Sequence, residues 1–214
     1  MKYIKFLSLL CSIAVVTSCG SSTKVTSSWK ANGAASTSAS LKKVMVVALL
    51  PQQDREIQQS LEKELVAKLT DKNIQAFSAY EQYGPNGLPK NERQALNRVR
   101  RSGADGVITI VLLDKQKERD YVPGNVMVRP YGFYYNRFWG YYNNVYDRVY
   151  TPGYYETNTN YFFESNLYNL NSDKLLYSVQ TESFDPSSTQ QLAKEYSKSL
   201  VDDMTKGGVL VADR

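Results

Sequence analysis

Continuous apolar runs alternate with helical spacing along most of this chain. Val44 to Leu50 (VMVVALL) is unbroken and ends at Pro51, the pattern of a strand buried on both faces. Asp54 stands next as a candidate N-cap. Ile57, Leu61, Leu65 and Leu69 then recur at every fourth position, with Val66 beside them. That spacing predicts an amphipathic helix of about 18 residues, ~27 Å long. Glu56, Glu62 and Glu64, set against Lys63, Lys68 and Lys72, are expected on its solvent side. Residues 74–80 (IQAFSAY) read as a second strand. Asn91 with Gln94 opens a second helix and Gly103 closes it. Ala104 to Leu113 is a third strand, again nearly all apolar. Strand, helix, strand, helix, strand predicts right-handed βαβ units in an α/β fold, with a mixed sheet in two or three layers.

After Asp114 the pattern breaks. DKQKERD (114–120) is a mixed charge run, expected as a solvated strand end or loop. Residues 121–158 keep no period of 2 or 3.6 and read as a long insertion. Regular spacing returns at 160–170 and 174–184, which alternate and flank Asn171-Ser172-Asp173, the signature of a β-hairpin. Pro186-Ser187 introduces a last helix with Leu192, Tyr196, Leu200 and Met204 on one face. Gly207-Gly208 ends it, and Val209 to Val211 are expected as a short final strand. Residues 41–214 thus read as a single α/β domain carrying the insertion.

The first residues are an address. Lys2 and Lys5 precede an apolar stretch from Ile4 to Val16, too short for a spanning helix of about 20 apolar residues. Val16-Thr17-Ser18-Cys19 resembles a bacterial lipobox, in which the cysteine is acylated and becomes the first residue after cleavage. Residues 1–18 are then a signal peptide, and membrane attachment runs through Cys19. Cys11 leaves with the signal, and the loss of Lys2 and Lys5 lowers the net charge of +5 by two. Two readings are open for residues 19–40. They are Ser-rich and form either a flexible tether with a reach of ~25 Å, or a tether cut short by an edge strand at 24–30 with Trp29 tucked onto the domain.

Composition narrows the chemistry. The chain has no histidine and two cysteines, which removes Ser-His and Cys-His catalysis and imidazole or thiolate metal sites. No enzyme, cofactor or metal is expected. The turn Pro51-Gln52-Gln53-Asp54 lacks the glycines of a phosphate loop, so nucleotide binding is not expected. The carboxylates Asp105, Glu164 and Glu182 are the candidates for glycoside hydrolysis, but each fits an ordinary turn or strand position. Ser102 with Lys206 has no supporting spacing. Arg93, Arg98, Arg100 and Arg101 form either an anion patch or the usual cations of a helix C-terminus. The weak basic excess does not argue for nucleic acid.

The insertion is the richest candidate. Between Tyr131 and Tyr155, twelve of twenty-five residues are aromatic and nine are Tyr. Rigid rings bury large area at small entropy cost and dominate interface hot spots. Tyr134, Tyr135, Trp139, Tyr141, Tyr142 and Tyr146 are the candidate partner-binding residues. The same rings suit stacking on sugars, which keeps a glycan or small-ligand site open, and they also suit packing over the open face of the sheet.

The lipobox at Cys19, the KKVMVVAL strand, the helix ending LTDKN before IQAFSAY, the SGADGVITIVL strand and the hairpin closing LLYSVQTESF resemble a family of Gram-negative envelope lipoproteins. Over residues 42–113 and 160–206 the core order resembles the curli-export lipoprotein and the amino-terminal domain of TolB. The penicillin-binding-protein activator lipoproteins share that general plan. The resemblance implies scaffolding, oligomer formation or activation of an envelope machine, not catalysis. It implies an envelope protein partner or a homo-oligomer. Cys19 is followed by Gly-Ser-Ser-Thr-Lys, with no acidic run of the kind that resembles a surface-export signal, so the periplasmic face of the outer membrane is expected. The Tyr-rich insertion departs from those relatives, so no particular partner carries over.

Overall fold

A computed structural model describes residues 22–85, 88, 89, 91–122 and 154–210. Its strands are β1 (Thr23–Lys30), β2 (Lys43–Leu49), β3 (Gln75–Ser78), β4 (Gly106–Val122), β5 (Tyr154–Asn169) and β6 (Lys174–Phe184). Its helices are α1 (Ala34–Ala39), α2 (Arg55–Thr70), α3 (Ala79–Tyr83), α4 (Glu92–Ser102) and α5 (Thr189–Lys206). The strands form one mixed sheet ordered β1-β6-β5-β4-β2-β3. β2 is parallel to β3 and β4, and the remaining pairs are antiparallel.

The main core lies on one face. Ile57, Leu61, Leu65 and Leu69 of α2 meet Leu192, Tyr196, Leu200 and Met204 of α5 there. Both rows rest on Val46, Ile108, Ile110, Phe163 and Val179 of the sheet. Phe163 meets the Tyr196 ring edge-on at 5.2 Å, and the Tyr196 hydroxyl hydrogen-bonds Ser165. A smaller core on the other face packs Ala79 of α3 and Val99 of α4 against Met45, Val47 and Val107. The sheet is therefore three-layered over β2, β3 and β4. Towards β1 it is two-layered and open, and Trp29, paired with Ser178, stands on that open face.

Several boundaries differ from the sequence pattern. Residues 24–30 form the strand rather than the tether, and the folded region starts by Ser22 instead of residue 41. Trp29 is not tucked in; it is 53% exposed. The second strand stops at Ser78, whose hydroxyl accepts from Glu81 N–H and starts α3. DKQKERD continues β4 without a break. Asp54 holds the cap position of α2, but its side chain caps nothing. The last residues before 211 form no strand. Val209 N–H donates to Met204 C=O and Gly208 N–H to Thr205 C=O, with Gly208 at φ 68°, a Schellman ending that turns Val209 into the core.

The largest departure is Glu62. Expected on the solvent side, it is completely buried. Its Oε1 accepts from Ala48 N–H at 2.8 Å, and its Oε2 accepts from Ser78 Oγ at 2.6 Å and Tyr80 N–H at 2.7 Å. One carboxylate thus ties α2 to the ends of β2 and β3 and to the start of α3. Burial pushes its pKa up, against the hydrogen bonds from Ala48, Ser78, Tyr80 and Gln58 that favour the charge.

Glu62→Gln places an amide N–H₂ where two donors already converge, so it is expected to cost about 2 kcal/mol at pH 7. Because the folded pKa is raised, the stability tied to Glu62 protonation is complete below the ordinary carboxylate range and is lost as pH rises through the raised value. Urea midpoints should therefore show the gap between wild type and Glu62→Gln widening on acidification. A constant or narrowing gap contradicts this.

Candidate functional site

Strand directions bring two features to one end of the sheet. β1 begins there, with Thr23 opposite Ser183, and β6 ends there at Phe184. Phe184 N–H donates to Ser22 C=O at 2.9 Å. Ser22 is also held by α5, because its N–H and Oγ both donate to Glu195 Oε2 at 2.6 Å. Cys19 is three residues before Ser22, a reach of at most ~10 Å. Cys19 itself lies outside the described residues.

β4 and β5 run past this same end. β4 last pairs with β2 at Val111, opposite Leu49, and the outermost pairing of β5 with β6 is at Asn160, opposite Phe184. Thr159 still exchanges hydrogen bonds with Asp185 just past β6, and from Glu118↔Asn158 to Val122↔Tyr154 the two strands pair only with each other. They form a two-stranded arm ~20 Å long beyond the level of Ser22 and Phe184. Strand alternation explains why a mixed charge run builds it. Lys115, Lys117 and Arg119 share one face with Thr157, Thr159 and Tyr161, while Asp114, Gln116 and Glu118 share the other with Asn158, Asn160 and Phe162. An arm with this alternation needs no buried side and can leave the core.

Its root is fixed by an ion pair. Lys115 Nζ lies 2.7 Å from Oδ1 of the buried Asp54 and 5.1 Å from the centre of the Tyr161 ring. Burial works against the lysine charge, but the hydrogen bond and charge of Asp54, together with Tyr161, outweigh it and raise the Lys115 pKa. Further out Lys117 and Arg119 are exposed, and Tyr155 is 71% exposed. The arm leads into residues 123–153, which contain Tyr134, Tyr135, Trp139, Tyr141, Tyr142 and Tyr146, all outside the described residues.

The other candidates have local occupations. Asp105 accepts from Lys42 N–H at 2.7 Å and Lys43 N–H at 2.9 Å, clasping the start of β2. It sits at the opposite end of β4 from the arm. Glu164 and Glu182 lie on the open face, Glu164 bonded to Asn166 and Gln180, Glu182 paired with Lys24 at 2.9 Å. The structure does not bring Asp105 to them. Ser102 Oγ donates to Val99 C=O within the end of α4, on the opposite side of the sheet from α5 and Lys206. Arg98 lies 5.2 Å from the centre of the Tyr83 ring, and Arg100 and Arg101 occupy the last turn of α4.

A cleft of about 580 Å³ lies at the carboxyl ends of β2 and β3, lined by Ala48, Gln58, Glu62 and Leu88 among others. Ligands of α/β sheets commonly bind at such a place. Here Glu62 is spent on Ala48, Ser78 and Tyr80, and Gln58 Nε2 donates to Ala48 C=O at 2.9 Å. Among the described residues no group of three or more His, Cys, Asp and Glu is placed to hold a metal. None of their helices is long and apolar enough to cross a membrane.

No family model and no curated protein sequence matches the chain. Among solved structures it is similar to a PelC dodecamer from Paraburkholderia phytofirmans, at 13% identity and TM-score 0.43, over 89% of this chain and 98% of that one. It is also similar to the lipoprotein GNA1162 from Neisseria meningitidis, at 14% identity and TM-score 0.42, over 77% and 98%. A minor lipoprotein from Acinetobacter baumannii follows at 9% identity and TM-score 0.28, over 78% and 94%. At these scores the likenesses are loose.

If Asp54 fixes the root of the arm, Asp54→Asn should speed amide exchange in Gln116–Arg119 by about fivefold, the equivalent of ~1 kcal/mol, with little change in the global unfolding midpoint. Unchanged exchange in these amides contradicts that role.

Proposed function

We propose that this chain is a lipid-anchored protein of the outer membrane's periplasmic face that works as a non-enzymatic binding or assembly factor. The observation that carries the reading is the arm. A regular ladder continues past the sheet to Val122↔Tyr154 and connects directly to the Tyr-rich segment 123–153. Such a ladder holds Val122 and Tyr154, the residues that flank the segment, side by side. The partner is an envelope protein gripped by Tyr134, Tyr135, Trp139, Tyr141, Tyr142 and Tyr146, ring types that gain contact area at low entropy cost. The lipobox pattern at Cys19 supplies the attachment.

Three experiments test this. Cys19→Ser should move the protein from the membrane fraction to the soluble one, and continued retention in membranes contradicts the anchor. A photo-crosslinker at Tyr142 should give a discrete band with another protein, absent from a control at Lys63 on α2. Replacing 123–153 by Asn-Gly should leave the thermal midpoint within a few degrees and abolish the partner's co-purification. Self-crosslinks alone would make the partner a second copy. No band from Tyr142 contradicts the binding role.

A further inference from the structure

We infer that the β4–β5 arm docks on the membrane that holds Cys19, through a face formed by Lys117, Arg119, Thr157 and Tyr155, and that its ligand is the phosphate-bearing headgroup surface of the bilayer. The inference rests on lipidation at Cys19 and deepens the proposed function by fixing which end of the domain faces the lipid. Its basis is a length comparison. The chain between Cys19 and Ser22 reaches at most ~10 Å, and Ser22 is fixed to Glu195 and Phe184. The arm extends ~20 Å past that level. β5 is only two strands from β1 in the sheet, about 10 Å sideways. A bilayer within reach of the anchor therefore meets the arm, whether the domain stands upright or leans.

The face that meets it has suitable chemistry. Of the three cations on it, Lys115 is neutralised by Asp54. Lys117 and Arg119 are exposed and are not in an ion pair among the described residues. The described acidic residues of the outer ladder lie on the other face, where Glu118 pairs with Asn158. Tyr155 is 71% exposed on the cationic face, and tyrosine is enriched at headgroup depth, where its ring meets an apolar layer and its hydroxyl stays wet. Two cations are too few to recruit a free protein to a membrane. On a protein already anchored they set orientation, because each is drawn to an anionic surface within a Debye length.

The test uses the full-length lipoprotein in cells, with a photo-crosslinking residue at Thr157 and, separately, at Asp173 in the turn at the far end of the sheet. Mass spectrometry reads both the adducts and the acylation of the peptide beginning at Cys19. The expected result is an acylated Cys19, phospholipid adducts at Thr157 and none at Asp173. Lys117→Glu with Arg119→Glu should lower the Thr157 lipid adduct about tenfold while leaving the melting curve in place, since both side chains are exposed. An acylated Cys19 with no lipid adduct at Thr157, or with protein adducts alone, overturns this inference and leaves the anchor intact. Equal lipid labelling at Thr157 and Asp173 also overturns it. An unmodified Cys19 in a membrane-free protein overturns the inference together with the anchor.

Discussion

The arrangement depends on one constraint: pairing begins almost immediately after Cys19. Ser22 is bonded to Phe184 and Glu195, and the residues after it are laid along β6 as an edge strand. A Ser-rich segment that could have been a loose spacer is consumed by hydrogen bonds to the sheet. Ser22, three residues after the proposed anchor Cys19, is thereby fixed to one corner of the domain. Because β4 runs in the direction of β6 and opposite to β1 and β5, its far end emerges at that same corner. Reversing the sense of β1 would place the anchor and the arm at opposite ends of the molecule.

Two carboxylates stabilise this geometry from inside. Glu62 secures the carboxyl ends of β2 and β3 to α2, which keeps the parallel half of the sheet in register with the helix above it. Asp54, just before α2 in the chain, takes Lys115 at the point where β4 leaves the core. The place where an α/β sheet often holds a ligand is here taken up by the protein's own contacts. Exposed Lys117, Arg119 and Tyr155 lie further out, along the arm.

Much of the core is legible from spacing. The four-residue rows of α2 and α5 and the apolar strands β2 and β4 appear where hydrophobic burial dictates them. The turn at Asn171–Asp173 appears where its residue types favour it. Glu62 is not legible, because a charged residue flanked by Glu56, Lys63 and Glu64 gives no local sign that three donors will converge on it. The extension of β4 through DKQKERD is hidden for a related reason. Alternating charges satisfy a solvated ladder as well as a loop, and only the partner strand from Tyr154 decides between them. The edge strand β1 is equally non-local, since its Ser and Thr residues have little burial to announce them. Of the functional candidates, Asp105 is accounted for by its bonds to Lys42 and Lys43. The aromatic residues of 123–153 follow from composition alone.

The central claim is that the domain sits against its membrane with the arm end towards the lipid. Neutron reflectometry of the lipidated protein on a supported bilayer measures this directly. The account predicts protein density that begins at the headgroups, with no separate water layer between them and the domain. A hydrated gap of ~25 Å, the reach of a free Ser-rich tether, would contradict it.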